Sequence, residues 1–306
     1  MTTPEKAREQ VVSSLKGKKI AYVPIGQQFD ITSLWRSRLE RAFEPMGVEF
    51  SAPDAAFDTQ RMTQILDSLI NDKVDMIILQ NPDVGVLSEQ IARAQQEGIY
   101  VIAVNELGNQ SPDAYVGADH VTMAADLADR MVSDCQAAGK NKIAIIDGNG
   151  TDGTSIATNE GWDPVFEEAG MDVVSTQHSR YDPAVANTIA STVLQKNPDL
   201  CGFAVNWDVT AVGVGEAIDA AGLKGKVGVY NIDASGTWCD ALDKGIVTAG
   251  AAYDAAGIGT AAAMFAQQLF LLGNAPGTSH TVSFVPYTIV DESNVGTTST
   301  ACYGKS

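Results

Sequence analysis

Short runs rich in Val and Ile alternate along this chain with longer segments whose apolar residues fall three and four apart, and the plan is laid down twice. Such alternation forces parallel pairing, because a helical crossover must carry the chain back before the next strand can lie beside the last. In the first half strands are expected near residues 20–23, 48–50, 76–80, 100–104 and 115–117, and in the second near 142–146, 172–176, 201–205, 227–232 and 248–252. Helices fall between them. Trp35, Leu39, Phe43 and Met46 share one side of a helix ending at Gly47, and Met62, Ile65, Leu66 and Leu69 share a side of the next. These stripes, with Ile91 and Ala94, are core packing. A polar helix-like stretch over 5–15 precedes the first strand, and Met1, Thr2, Thr3 and Pro4 lead into it. A helix over about 258–272, an extended stretch over 282–290 and a polar, surface-lying tail from Thr297 complete the plan.

The 306 residues suffice for two sizeable cores. The expected fold is therefore α/β, with two doubly wound parallel-sheet lobes. Four of the apolar runs stop on polar residues: MIILQ before Asn81, YVIAV before Asn105, GFAV before Asn206 and VGVYNI on Asp233. In doubly wound sheets such positions lie at the carboxyl edge of the strands, where ligands bind in a crevice. Two lobes presenting these edges to one cleft would grip something polar.

Composition narrows the ligand. A formal net charge of −18, with no stripe of Lys and Arg among aromatics, excludes nucleic acid as a partner. No uninterrupted apolar run approaches the roughly 20 residues that cross a bilayer. Cys135, Cys201, Cys239 and Cys302 form no C-x-x-C pair, and no histidine stands at zinc-ligand spacing, so no metal site is expected. Cys201 opens a buried strand and reads as core. Cys239 and Cys302 can meet as a disulfide if the tail folds back.

Enzymatic signals are sparse. Gly148, Gly150 and Gly153 form a G-x-G-x-x-G between a strand and a helix, which imitates a dinucleotide-binding turn. The next strand, DVVSTQ, ends without the acid that would hold a ribose; His178, Arg180 and Asp182 follow it. No phosphate-binding G-x-x-x-x-G-K-[ST] loop exists, and Gly304-Lys305-Ser306 has no strand and helix around it. His120, His178 and His280 stand in no nucleophile or metal motif, and there is no G-x-S-x-G elbow. No catalysis and no cofactor are expected, an NAD-dependent enzyme being the remote alternative.

The strand ends do supply amides at Asn81, Asn105 and Asn206, acids at Glu106, Asp119, Asp208 and Asp233, and aromatics nearby: Phe29, Trp162, Tyr181, Trp207, Trp238 and Tyr253. Rings stack on the C–H face of a polyhydroxylated molecule while amides and carboxylates hold its rim. Each residue also has a bland role: Asn81-Pro82 is a turn signal, Asp208 can cap a helix, and a lone Trp usually packs.

The segments KKIAYVPIGQQF, VDMIILQNPD, YVIAVNE, AYVGADH, IAIIDGNGTDGTS, GFAVNWDVTAVG, VGVYNIDAS and TAGAAYD, in this order, make the chain resemble the ribose-binding-protein-like type I periplasmic solute-binding proteins of ABC transporters. The resemblance spans nearly the whole chain. It implies two lobes joined by a three-strand hinge, residues 1–119 with 254–281 and residues 120–253 with 282–306. It implies ligand contacts from Gln27, Gln28, Phe29, Asn81, Asn105 and Glu106 in the first lobe. In the second they come from Thr158, Asn159, Tyr181, Asn206, Trp207, Asp233 and Tyr253.

Pentose- and hexose-binding members of that family usually place Asp-Arg where this chain has Asn105-Glu106, and Arg where it has Thr158 or Asn159. Without those forked donors an ordinary aldopentose cannot be held in the usual bidentate way. A small polyol or sugar is the expected ligand, with a cationic amine as the alternative. The resemblance further implies a monomer that closes about its ligand and docks on the membrane subunits of an ABC transporter. No charged-then-apolar leader precedes the first strand, which taken literally says cytoplasmic; the resemblance implies a periplasmic or membrane-anchored extracytoplasmic location. A sensing module that feeds a signalling protein shares the fold.

Overall fold

The computed structural model describes residues 3–304. Met1, Thr2, Lys305 and Ser306, which entered the sequence-based expectations for the two ends, lie outside them. The elements run α1 (Pro4–Leu15), β1 (Lys19–Val23), α2 (Asp30–Phe43), β2 (Glu49–Ser51), α3 (Thr59–Asn71), β3 (Met76–Leu79), α4 (Ser88–Gln96), β4 (Tyr100–Val104) and β5 (Ala114–Ala118). There follow α5 (His120–Ala137), β6 (Lys142–Asp147), α6 (Gly153–Glu168), β7 (Asp172–His178), α7 (Pro183–Lys196), β8 (Gly202–Val205), α8 (Asp208–Ala220), β9 (Gly228–Ile232), α9 (Gly236–Asp243) and β10 (Ala249–Tyr253). The last are α10 (Ala255–Leu272), β11 (Thr281–Val285) and β12 (Tyr287–Val290).

The chain divides into two units, Met1–Gly117 with Ala255–Val285, and Ala118–Asp254 with Pro286–Ser306. Unit 1 holds the sheet β11-β5-β4-β3-β1-β2 and unit 2 the sheet β12-β10-β9-β8-β6-β7, so the same order occurs twice. Pairing is parallel from β2 to β5 and from β7 to β10, and β12 runs antiparallel to β10. The central strands β3, β4, β8 and β10 are buried along their whole length, whereas β7, at an edge, is largely exposed and polar.

One sequence expectation is corrected here. The run 282–290 is two strands, because Pro286 breaks it: its carbonyl accepts from Asp254 N–H at 2.9 Å, and the residues before and after it join different sheets. The last crossing between units therefore falls at 285/286, not before 282.

Side-chain caps start the helices. Asp58, Asp119, Asp152, Asp182 and Ser235 each accept a backbone N–H of the first turn of α3, α5, α6, α7 and α9. Asp119, one of the candidate ligand acids, is engaged this way, and its second oxygen takes the Thr122 hydroxyl at 2.7 Å. Met62, Leu66, Ile77, Leu79, Ile91 and Val101 form a core of unit 1; Phe203, Val205, Val214, Val229, Trp238 and Leu242 belong to that of unit 2. By length and composition alone α10 could cross a membrane. In unit 1 it lies against α2, where Trp35 Nε1 donates to Ala255 O at 2.8 Å.

Helices α5 and α6 touch closely at Gly161. A Cβ added there would lie 2.2 Å from Val121 O and 2.8 Å from the Ala124 Cβ. Gly→Ala inside a helix ordinarily stabilises by roughly 0.5–1 kcal/mol, yet here overpacking should reverse the sign. Gly161→Ala is expected to lower stability by about 1–3 kcal/mol in urea titrations; a more stable variant would show that the two helices yield freely.

Of the two cysteine expectations one changes and the other, the Cys239–Cys302 pairing, is met. Cys201 is not simply core: it is bonded to Cys135. Cys239 is bonded to Cys302, so the polar segment from Thr297 folds back onto unit 2, and Ala301 and Cys302 pack against its core.

Candidate functional site

Eight non-glycine residues among those described have positive φ, and most stand at matched points of the two units. Ala56 (52°) and Phe57 (61°) after β2 match Arg180 (53°) and Tyr181 (60°) after β7. Asn105 (61°) after β4 matches Asp233 (78°) after β9. Asn105 N–H donates to Val116 O at 2.8 Å and Asp233 N–H to Ala251 O at 3.0 Å, the same step in each sheet. Both aromatic turns then run into an aspartate cap, Asp58 or Asp182. Asn and Asp tolerate this backbone region, but aromatic residues held in it cost on the order of 1–3 kcal/mol each. Strain kept at both carboxyl edges points to side chains that must be aimed.

In unit 1 the Phe29 ring, at the N-cap of α2, meets Phe57 edge-on with centroids 5.7 Å apart. Gln28 lies over Gly26. Gln27 is taken up locally, by Arg36 at 2.7 Å and by Asp54. Asn81 is 2 % exposed, and its Oδ1 has no hydrogen-bond partner. Buried Glu106 accepts from Gln80 Nε2 at 3.0 Å, and the Tyr115 hydroxyl donates to Asn105 O at 3.1 Å, bracing the left-handed turn.

In unit 2 Tyr181 and Trp207 form a second edge-on pair, 5.7 Å between centroids. Room for Tyr181 comes from Gly148, where a Cβ would stand 2.2 Å from the tyrosine Cζ. The first glycine of the dinucleotide-like triplet thus has a role in seating an aromatic ring. Asn206 donates Nδ2 to Ser155 Oγ at 2.9 Å, and its Oδ1 also lacks a partner. Thr158 is fully buried and turns its hydroxyl onto the carbonyls of Thr154 and Ser155, so of these two neighbours only Asn159 keeps a side chain near the edge. Asn159 accepts from Trp162 Nε1 at 2.9 Å and faces Asp147, which also meets His178 Nδ1.

Asp233 is the most heavily engaged acid. Its Oδ1 accepts from Ala234 N–H at 2.8 Å, and its Oδ2 from the hydroxyls of Tyr303 at 2.5 Å and Tyr253 at 3.4 Å. Burial, and then the neighbouring Asp208, push the Asp233 carboxyl well above the ordinary carboxylate range, against the pull of those donors. Asp208, also buried, accepts from the N–H groups of Val209 at 2.7 Å and Ser235 at 2.6 Å, joining the start of α8 to that of α9.

The candidates therefore divide by unit. Gln28, Phe29, Asn81, Asn105 and Glu106 lie at the carboxyl edge of the first sheet, and Asn159, Tyr181, Asn206, Trp207, Asp233 and Tyr253 at that of the second. Trp162 and Trp238, offered by sequence as stacking rings, are instead fully buried core; Trp238 Nε1 donates to Asn231 Oδ1 at 2.6 Å. Two residues were missed. Phe57 had a signal, since aromatic-Asp precedes a helix at the same point of each half (Phe57-Asp58, Tyr181-Asp182). Tyr303 had only an indirect one, the possible Cys239–Cys302 pairing, which together with the backbone bonds beside it brings the tyrosine to Asp233. Among the described residues no three His, Cys, Asp or Glu side chains group to hold a metal.

Comparison with known proteins gives a consistent result. The chain is 27% identical over 223 residues to the D-allose-binding periplasmic protein of Escherichia coli, covering 70% of this chain and 71% of that one. It is 27% identical over 251 residues to a fructose import binding protein of Bifidobacterium longum, covering 76% and 74%. A solute-binding protein from Agrobacterium radiobacter, solved with D-arabinose, superposes with a TM-score of 0.84 at 17% identity over 92% of this chain and 96% of that one. One from Bacillus halodurans with bound myo-inositol superposes at 0.83 and 21% identity, over 92% and 96%. These likenesses show the type I fold. Residues 20–274 match the model of the periplasmic binding protein domain, and the chain belongs to that family of binding proteins.

Proposed function

We propose that the chain is the extracytoplasmic solute-binding receptor of an ABC importer and that its ligand is a small neutral polyol or sugar. The observation that carries this is the pair of amide oxygens, Asn81 Oδ1 and Asn206 Oδ1, buried at the carboxyl edges without a partner. A buried acceptor left unmade costs about 1–3 kcal/mol, and ligand hydroxyls remove that penalty. The edge-on pairs Phe29–Phe57 and Tyr181–Trp207 offer apolar ring surface at the same carboxyl edges, the combination that suits a polyhydroxylated molecule.

The binding names of relatives agree: besides those above, a xylitol-binding protein of Mycolicibacterium smegmatis is 28% identical over 187 residues. Paired cysteines suit an oxidising compartment outside the cytoplasm. Binding and release involve no chemistry. One observation favours a second ligand class: a bound cationic amine would relieve the repulsion between the two buried acids Asp208 and Asp233, which raises the Asp233 carboxyl.

Titration calorimetry against xylitol, myo-inositol, D-ribose, D-allose, D-arabinose and D-fructose, with putrescine and choline alongside, separates the two. A neutral member is expected to bind with a Kd of about 1 μM or tighter, some −8 kcal/mol. Silence toward every neutral compound while an amine binds would overturn the polyol assignment.

A further inference from the structure

The segment 297–304 is tied back onto the edge of the second sheet at several points. Cys302 is bonded to Cys239 of α9, and Cys302 N–H donates to Ala234 O at 2.8 Å. Tyr303 pairs with Ser235 as an isolated parallel bridge, its carbonyl accepting from Gly236 N–H at 2.7 Å. Cys302 itself takes the left-handed conformation, φ 62°, at which the chain turns so that Tyr303 follows it. The result is a hydroxyl 2.5 Å from Asp233 Oδ2, closer than the 3.4 Å of Tyr253, which belongs to the neighbouring strand β10.

We infer that Tyr303 is a positioning residue for Asp233, and that the Cys239–Cys302 disulfide holds it there, making ligand affinity dependent on an intact bond. The inference rests on the reading of Asp233 as a ligand-binding acid. A carboxylate buried to 2 % exposure has few orientations open to it once Ala234 N–H fixes Oδ1 and two hydroxyls fix Oδ2. Its remaining lone pair is then aimed by those three donors, and ligand hydroxyls must meet it there. The groups facing it are Tyr303 from the strap, Tyr253 from β10, and Asp208 from the start of α8, the last a like charge that opposes ionisation. Tyr303 has the shortest contact and is the one donor not placed by the doubly wound fold itself. The disulfide, the two backbone bonds and the packing of Ala301 and Cys302 on the core of unit 2 put it there.

The test compares wild type with Tyr303→Phe, Asp233→Asn and the double variant Cys239→Ser/Cys302→Ser, all as the full chain. Two quantities are read: the Kd for the tightest binder of the neutral panel above, and the pH titration of the Asp233 carboxyl followed by carbon-13 NMR, its signal assigned by its loss in Asp233→Asn. Tyr303→Phe keeps the ring and removes only the hydroxyl. It is expected to weaken binding roughly tenfold or more, the size of one charge-assisted hydrogen bond. It should also move the Asp233 titration to higher pH, because a donor that favours the charged form is lost. The double cysteine variant is expected to shift the titration in the same direction.

Removal of a merely structural contact would lower the melting temperature without moving the titration. If Asp233→Asn loses binding while Tyr303→Phe changes neither Kd nor titration, the inference fails and the ligand role of Asp233 stands. If Asp233→Asn binds as wild type does, the reading of the site fails with it. A double cysteine variant with an unshifted titration overturns the tether. The titration needs no ligand, so it decides whether Tyr303 and the tether position Asp233 even if the panel proves silent.

Discussion

Replacement of both Cys135 and Cys201 by alanine is expected to lower the unfolding free energy of unit 2 by about 4 kcal/mol. The bond joins residues 66 apart, from the last turns of α5 to the residue before β8. Cross-linking at that separation removes loop-closure entropy from the unfolded chain, and the cost grows only slowly with length. Both cysteines are buried, at 0% and 6% exposure, so the bond also lies where water and reductant reach it last. Urea titration of Cys135→Ala/Cys201→Ala by far-ultraviolet circular dichroism checks the figure, with Cys239→Ala/Cys302→Ala, whose cysteines are 63 apart, as a comparison of nearly equal loop length. Loop closure alone predicts similar losses for the two. An unchanged midpoint in the first variant would show that the bond adds nothing to the folded unit.

Most of the fold was legible because it rests on periodicity. Residues 76–79, 100–104 and 202–205 are apolar throughout, and such runs between amphipathic helices can only be interior parallel strands. The carboxyl-edge positions followed directly, since a strand buried on both faces must stop being apolar where it leaves the sheet. The break in 282–290 was also within reach, as Pro286 interrupts a β-branched run and proline cannot donate to a ladder. The Cys135–Cys201 bond was not. Cys135 lies on the inner face of a helix and Cys201 ahead of a strand, and their meeting depends on how α5 crosses the sheet, which no local pattern encodes.

Phe57 and Tyr303 divide the same way. The first is the counterpart of Tyr181 in an internal repeat, with matching φ and a matching aspartate cap, so comparing the halves residue by residue would have found it. The second follows a cysteine whose pairing with Cys239 the sequence allowed, but no local pattern says that the residue after it meets an acid. Thr158 shows the opposite error. The resemblance implied a ligand contact there, but a threonine inside a helix can turn its hydroxyl back to the preceding carbonyls, and this one does.

Acidification should destabilise the protein through His120, by about 3 kcal/mol between pH 7 and pH 4. His120 opens α5, is 6% exposed, and meets the Tyr253 ring edge-on at 5.9 Å between centroids. Burial pushes its imidazole down to about 4, and the nearby carboxylates Asp152 and Asp119 recover only part of that shift. The unfolded chain takes up this proton near pH 6.5, the folded one only near 4, so the unfolded state binds more protons across that window. The contribution is therefore fully present above pH 6.5 and is lost as the pH falls toward 4. Asp233 works in the other direction, because its raised folded value favours the native state at low pH and that benefit fades as the pH rises. The two opposing trends are separated by difference. His120→Gln keeps Asp233, so subtracting its stability from that of wild type at each pH cancels the carboxyl and leaves the imidazole. That difference is expected to fall by about 3 kcal/mol from pH 7 to pH 4 in parallel urea titrations. A difference that stays flat would mean that His120 takes its proton as readily in the folded protein as in the unfolded chain, and that the interior beside Tyr253 is wetter than its burial implies.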